Sequence, residues 1–401
     1  MKIKPVILCG GAGTRLFPSF KKSPSKQFID FGGWTLFGNT LDRVKSPIFD
    51  SPIISTNKTY EKLVRRELKN KKIKNFTIIL EPLKKNTAPA VISSTLISDI
   101  KINQPILFLP SDHYLPEKDK FIRILKSNLL NLDNKNIFIF GIKPKTPTSD
   151  YGYLLSKKIN TKINRVIKFI EKPKEKKAKM FIGQKALWNS GIVLARKDSI
   201  INNSKKTQKN LFNSCLNAIT KSKIKNNTIN LSKKYFSQIK AVSFDYAILE
   251  QAKEINSIKL NLIWSDLGSW KEIFKIIKSK TSQAYIKKNT FYRPWGNYKN
   301  FFKGENFLLK ELTINKKSSI SLQKHHHRSE YWTVISGRPK ITVGKKVCFK
   351  KINESIFIPK GSIHRIENIY SKTIKIVEAQ LGDILKETDI VRYQDMYGRI
   401  N

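Results

Sequence analysis

The feature that most constrains this fold is a change in the spacing of apolar residues near residue 280. Before it, short apolar runs such as Pro5-Val-Ile-Leu-Cys9, Ile78-Ile-Leu80, Pro105-Ile-Leu-Phe-Leu109 and Ile137-Phe-Ile-Phe-Gly141 alternate with helical patterns. That alternation predicts a mostly parallel sheet covered by helices on both faces. After it come short alternating strands punctuated by Gly, Pro and Asn: Phe307–Leu312, Tyr331–Ile335, Lys340–Val343, Ser355–Ile358 and Ile374–Val377. This second pattern predicts an all-β, barrel-like domain. The polar, lysine-rich stretch between them marks the boundary, giving an α/β domain at 1–278, a short linker at 279–290 and a β domain at 291–401. The segment Ile200 to Lys234, rich in Asn, Ser and Lys, reads as a helical surface excursion from the first domain.

Charge narrows the function. The chain of 401 residues carries 77 Lys+Arg against 30 Asp+Glu, a formal net charge of +47. Only 13 of the basic residues are Arg, and the lysines are spread along the whole chain instead of forming one block. A solvated lysine surface fits this pattern better than a polynucleotide site, so no nucleic-acid partner is expected, although the field favours phosphorylated small molecules. Three distant cysteines, Cys9, Cys215 and Cys348, exclude a disulfide framework. No apolar run approaches the roughly 20 residues of a membrane span. Neither is there a signal-peptide core, so a reduced, cytoplasmic protein without a membrane span is expected.

Directly after the first strand comes Gly10-Gly11-Ala12-Gly13-Thr14-Arg15-Leu16. Three glycines let backbone N–H groups approach an anion, and Arg15 supplies positive charge. The loop is neither a P-loop nor a dinucleotide fingerprint, and by itself it reads equally as a ligand loop or a tight turn. Lys26 adds a second cation. Asp112 and Asp266 each follow an apolar run, at strand ends where a carboxylate can hold Mg²⁺; a loop cap at Asp112 and an Asx turn at Asp266 are the plainer readings.

In the second domain, Gln323-Lys-His325-His326-His327-Arg328-Ser-Glu330 precedes a distant Pro359-Lys-Gly-Ser-Ile-His364. On a strand, residues 323, 325 and 327 share one face, so an amide and imidazoles can face a barrel interior, with His364 supplied by a later strand. Imidazole plus carboxylate suits Zn²⁺, Mn²⁺ or Fe²⁺. The competing reading is a solvated histidine run.

Several segments, taken in order, resemble the mannose-1-phosphate guanylyltransferases. They are Gly10–Leu16, Pro24-Ser-Lys-Gln-Phe28, Glu81-Pro82 with Asn86-Thr-Ala-Pro-Ala90, Pro110-Ser-Asp-His113, Asp150-Tyr-Gly-Tyr153, Phe169-Ile-Glu-Lys-Pro173, Trp188-Asn-Ser-Gly191, Ser243-Phe-Asp-Tyr-Ala247 and Trp264–Trp270. Phe17 and Lys85 replace the family's usual Trp and Arg. The second domain resembles the cupin barrel of the bifunctional enzymes that are also mannose-6-phosphate isomerases. Asn353 stands where a Gly usually opens the second cupin motif, and the link between domains is shorter than usual.

The resemblance implies a Rossmann-like nucleotidyltransferase domain followed by a cupin. It implies that GTP and mannose 1-phosphate give GDP-mannose and pyrophosphate, and that the cupin interconverts mannose 6-phosphate and fructose 6-phosphate. Catalytic roles then fall on Arg15, Lys26, Asp112, Lys172 and Asp266. Gly10, Gly11, Gly13, Thr14, Arg15, Lys26, Glu81, Asn86, Thr87 and Asp112 would bind the nucleotide; Gly152, Glu171, Lys172, Asn189 and Asp245 would bind the sugar phosphate. Mg²⁺ would sit on Asp112 and Asp266, and Zn²⁺ or another divalent ion on Gln323, His325, Glu330 and His364. Arg328, Arg392 and Arg399 are the implied holders of the isomerase substrate's phosphate. Homo-oligomerisation is compatible with the resemblance. Two other functions fit the same residues: a guanylyltransferase whose cupin only binds sugar, and a non-catalytic regulatory relative.

Overall fold

The apolar runs of the first half form β1 (Lys4–Cys9), β2 (Ile53–Asn57), β3 (Thr77–Glu81) and β4 (Pro105–Pro110), which pair in parallel in the spatial order β4-β1-β2-β3. Successive residues of these strands serve opposite faces. Ile7, Cys9, Ile54 and Leu107 enter one apolar cluster, while Val6, Ile53, Ile106 and Phe108 enter the other. Burial on both faces is what continuous, non-alternating apolar strands require. The computed structural model describes residues 1–11, 16, 25–31, 33–304 and 306–399.

The sheet continues with β5 (Ile137–Ile142), β6 (Tyr153–Lys158), β7 (Asn164–Ile170), β8 (Leu187–Arg196), β9 (Lys223–Lys225), β10 (Thr228–Asn230) and β11 (Ile255–Leu260). Its eleven strands run in the order β5-β11-β7-β6-β8-β4-β1-β2-β3-β10-β9. The expected parallel arrangement describes the half built on β4, β1, β2, β3 and β10. The other half is mixed, because β8 runs antiparallel to β4, β5 and β6. The segment 200–234 is also more than a surface excursion. Its helix Lys209–Thr220 buries Phe212, Cys215 and Ala218, and β10 pairs in parallel with β3.

The Cα packing divides the described residues into two compact units, the first of 1–11, 25–28 and 35–266, the second of 267–304 and 306–399 with 16, 29–31, 33 and 34. The second unit contains two antiparallel sheets. One joins β12 (Thr290–Arg293), β13 (Gly296–Lys303), β14 (Phe307–Ile314), β17 (Arg328–Ser336), β20 (Ser355–Ile358) and β22 (Ile374–Gly382); the other is built on β16 (Leu322–His325), β18 (Lys340–Val343), β19 (Lys346–Phe349), β21 (His364–Asn368) and β23 (Ile390–Gln394), with the short β15 (Ser318–Ser319) paired to β21. Trp295, Ile314, Trp332, Ile341, Ile366 and Ile376 fill the space enclosed. Asn353 takes φ +74°, a left-handed conformation that Asn tolerates, so the turn survives the loss of the expected glycine.

The stretch expected as a linker is helical. Within 279–290 the residues Gln283–Lys288 form a helix, with the Ser282 hydroxyl accepting the Tyr285 N–H at 3.2 Å as an N-cap, and the helix before it, Trp270–Lys280, runs into the start of the stretch. The lysines conceal a helical stripe in which Ile273, Phe274 and Ile277 are buried, and Phe274 meets Phe301 edge-on at 4.8 Å.

Gly296, from the segment Arg293-Pro-Trp-Gly296, sits at φ +142°, where an added Cβ would lie 2.0 Å from the carbonyl oxygen of Thr313 on the paired strand. Gly296→Ala is therefore expected to lower unfolding free energy by about 2 kcal/mol or more, through backbone strain and displacement of β14. Denaturant titration checks this; an unchanged midpoint would contradict it.

Candidate functional site

The C-terminal ends of β1, β2, β3 and β4 open onto a cavity of ≈ 560 Å³. Ligand clefts of open α/β sheets lie at such strand ends. Among its walls are Gly10, Gly11, Glu81, Asn86, Thr87 and Asp112, together with Asp245. Gly13, Thr14, Arg15 and Phe17 lie outside the described residues. The glycine turn is held from behind: Thr56 donates to the Cys9 carbonyl at 2.8 Å, and Gln27 to the Gly11 carbonyl at 3.1 Å.

Lys26, only 3% exposed, pairs with Asp112 Oδ2 at 2.8 Å and also donates to the main-chain carbonyl of Asp266. The Tyr151 hydroxyl donates to Asp266 Oδ1 at 2.6 Å. Asp112 follows β4 as expected, whereas Asp266 follows a single bridge, Tyr114 to Ser265, and not a regular strand. Asn86 is the N-cap of the helix Thr87–Thr95, at φ +69° with its side chain accepting the Thr87 N–H. This exposes a helix N-terminus to the cavity, a favourable position for phosphate. Burial pushes the Glu81 carboxyl up to about 7, although Ser55 donates to it at 2.6 Å. His113 is pushed down to about 4 by burial and is neutral beside Asp112.

A second cluster adjoins Asp245. Asn189 donates to Asp245 Oδ1 at 2.7 Å, and Lys172 Nζ lies 3.7 Å from Glu171 Oε1. Burial pushes Glu171 up to about 7, with the nearby Asp245 adding to the shift. Gly152 leaves room for this carboxylate, because a Cβ there would stand 2.5 Å from Glu171 Oε2.

In the barrel, the ligand atoms of His325, Glu330 and His364 lie within 4.8 Å of one another, and all three residues are buried. They come from β16, β17 and β21, and the Gln323 amide, also on β16, approaches His325 Nε2 at 3.4 Å. Each imidazole is oriented by its other nitrogen: His325 Nδ1 lies 3.1 Å from the Asp389 carbonyl and His364 Nδ1 lies 2.8 Å from that of Ser362. A carbonyl can only accept, so both Nδ1 atoms carry hydrogen and both Nε2 atoms face Glu330, at 3.1 Å for His325 and 3.7 Å for His364. His364 Nε2 is buried with no hydrogen-bond partner, and burial pushes its pKa down to about 4. A neutral imidazole with an unsatisfied lone pair, facing a second imidazole and a carboxylate, fits a divalent cation.

The three arginines line one small cavity with Gln323 and Glu330. Their states differ. Arg328 is held by Glu330 Oε1 at 3.0 Å and by the Lys386 carbonyl at 3.0 Å, while Arg399 makes paired contacts with Asp395 at 2.6 and 2.9 Å. Arg392 Nε is buried and unpaired.

The sequence reading missed several groups here. Tyr151 and Asn57 carry no spacing signal of their own, although Ser55-Thr56-Asn57 is a polar close to an otherwise apolar strand. Glu378 lies two residues before Gln380, whose amide donates to Glu330 at 3.2 Å and to Glu378 at 2.6 Å; Trp332 Nε1 donates to both carboxylates at 3.0 Å.

The Nucleotidyl transferase family model matches residues 4–283, and the Mannose-6-phosphate isomerase C-terminal model matches residues 280–395. The chain belongs to the nucleotidyl transferase family and carries a C-terminal domain of the isomerase type. It is 28% identical to the alginate biosynthesis protein AlgA of Pseudomonas fluorescens, over 98% of this chain and 96% of that one. It is 28% identical to the mannose-1-phosphate guanylyltransferase of Sinorhizobium fredii, over 98% and 91%. A solved structure described as mannose-6-phosphate isomerase from Helicobacter pylori matches with 27% identity and a TM-score of 0.58, covering 66% of this chain and all of that one. Among the described residues, no helix is long and apolar enough to cross a membrane.

The barrel geometry separates a built metal site from a histidine run. His325→Ala and His364→Ala are each expected to weaken stoichiometric Zn²⁺ or Mn²⁺ binding at least tenfold, whereas His326→Ala, whose exposed ring lies outside the cluster, should bind normally. Metal analysis after dialysis measures this, and equal loss in all three variants would contradict a site drawn from separate strands.

Proposed function

We propose that this protein makes GDP-mannose and pyrophosphate from GTP and mannose 1-phosphate, and that its cupin interconverts mannose 6-phosphate and fructose 6-phosphate. The transferase is assigned to residues 1–278 and the isomerase to 291–401, with the product serving polysaccharide synthesis in the cytoplasm. The observation that carries the reading is the convergence of Lys26, Asp112 and Asp266 beside a cavity that a helix N-terminus and a glycine turn also face.

The attacking phosphate oxygen of the sugar is already anionic, so the transfer needs no general base. Catalysis must come from alignment and from neutralising charge on the triphosphate. Gly10 and Gly11 offer backbone room for phosphate, Lys26 and Arg15 offer positive charge, and Lys172 holds the sugar phosphate. Glu171 and Asn189 accept and donate to the sugar hydroxyls, with Asp245 fixing the Asn189 amide. Asp112 and Asp266 are hard oxygen donors suited to Mg²⁺, which when bound supplies further charge neutralisation. In the barrel, Gln323, His325, Glu330 and His364 would hold Zn²⁺ or another divalent ion, which polarises the sugar's carbonyl end. Arg392 is the best placed of the three arginines for the 6-phosphate, since Arg328 and Arg399 are already engaged by carboxylates.

Asp266→Asn should fold normally yet lower the Mg²⁺-dependent rate of GDP-mannose formation by roughly 10². A normal rate would overturn the role of Asp266.

Glu171 gives a pH test. Its ionised carboxylate accepts from sugar hydroxyls more strongly than the neutral acid does, and burial holds its pKa at about 7. The KM for mannose 1-phosphate should therefore fall as pH rises through 7, beyond what the substrate's own ionisation explains. Glu171→Gln should raise KM and flatten that dependence. An identical pH profile in the variant would exclude Glu171 from the sugar site.

A further inference from the structure

The floor of the transferase cavity carries a polar pair of which the motifs single out only Glu81. Asn57 and Glu81 end β2 and β3 and are directly paired across these parallel strands, so their side chains leave the same face about 4.8 Å apart. Both line the cavity. The Asn57 amide is 8% exposed, and its orientation is fixed because Oδ1 accepts the Thr59 N–H at 3.0 Å. Its Nδ2 is consequently a committed donor, and it is buried without a partner. Glu81 has one oxygen occupied by the Ser55 hydroxyl, leaving acceptor capacity on the carboxylate.

A fixed donor beside an acceptor matches one kind of base edge. Guanine presents its O6 acceptor next to the N1–H and N2–H donors. Adenine presents the reverse, an N6–H donor next to the N1 acceptor, so donor would face donor and acceptor would face acceptor. We propose that Asn57, acting with Glu81, reads the base of the nucleoside triphosphate and selects a 6-keto purine over a 6-amino purine. This rests on the nucleotidyl-transfer reading given above and adds the source of its base preference. Rejection is strong because a mismatched base leaves buried polar groups unpaired, and the Asn57 amide cannot rotate to accommodate adenine without breaking its bond to Thr59.

The test is Asn57→Asp, which keeps the shape and the acceptor for Thr59 but replaces the donor with an acceptor. Binding of GTP and of ATP is measured by calorimetry for the full chain and the variant, alongside kcat/KM for each nucleotide with mannose 1-phosphate. The full chain should prefer GTP; in the variant the GTP-to-ATP ratio should fall at least tenfold, with KM for mannose 1-phosphate little changed. Should Asn57→Asp fail to fold, Glu81→Gln supports the same comparison, again with a reduced ratio expected. An unchanged ratio in a folded, active variant would overturn the inference and leave the proposed activity standing. A binding preference for GTP that Asn57→Asp abolishes, in a protein that transfers to no sugar phosphate, would support the inference and reject the proposed activity.

Discussion

The buried ammonium of Lys26 is the interaction on which the first site depends. An unpaired ammonium in the interior would cost several kcal/mol, and here the cost is offset by the Asp112 carboxylate and the Asp266 carbonyl. Those partners belong to the turn after β4 and the loop after β11, segments remote in sequence. A second buried cation supports the same turn from below. Arg43, from the helix Leu36–Arg43, donates to the carbonyls of His113 and Leu115 at 3.4 and 3.3 Å, and burial pushes its pKa down to about 10. Lys26 thus holds the Asp112 carboxylate while Arg43 holds the main chain just after it, a rigid support of the kind that charge-neutralising catalysis requires.

The barrel solves a related problem with opposite signs. Glu330 and Glu378 are carboxylates in an interior where isolated charge is expensive, and both are engaged by Trp332 Nε1 and the Gln380 amide. Two imidazoles, each oriented through Nδ1, turn their Nε2 atoms to Glu330. Arg328 compensates part of this acceptor-rich cluster through Glu330, and the unsatisfied His364 nitrogen leaves it one lone pair that a divalent cation would engage.

Much of this was legible in the sequence because the signals were local. The strands predicted at Lys340–Val343 and Ser355–Ile358 are found with those bounds, since alternation and flanking turn residues act over a few positions. The placement of Gln323 and His325 on one buried strand face followed from the period of two, but His327, expected on that face, lies beyond the end of the strand and is exposed, and His364 comes beside them only through the pairing of two distant strands. What escaped depended on tertiary context. The lysine-rich segment near 285 hid its short helix behind exposed charge, and the mixed half of the sheet came from strands such as Leu187–Arg196 whose direction no local pattern encodes. Asn57 was invisible, and Tyr151 was seen only as part of Asp150-Tyr-Gly-Tyr153 without a role, for the same reason: their roles arise only when β2 meets β3 and when the turn at 151 meets Asp266.

The central claim is that the cavity at the ends of β1 to β4 joins a guanosine nucleotide to mannose 1-phosphate. Phosphorus NMR of the full chain with Mg²⁺, pairing GTP or ATP with mannose 1-phosphate or glucose 1-phosphate, tests this most directly. The signals of GDP-mannose and pyrophosphate are expected to grow together in the GTP and mannose 1-phosphate sample well ahead of the other three pairings. Equal turnover in all four pairings, or none in any, would contradict it.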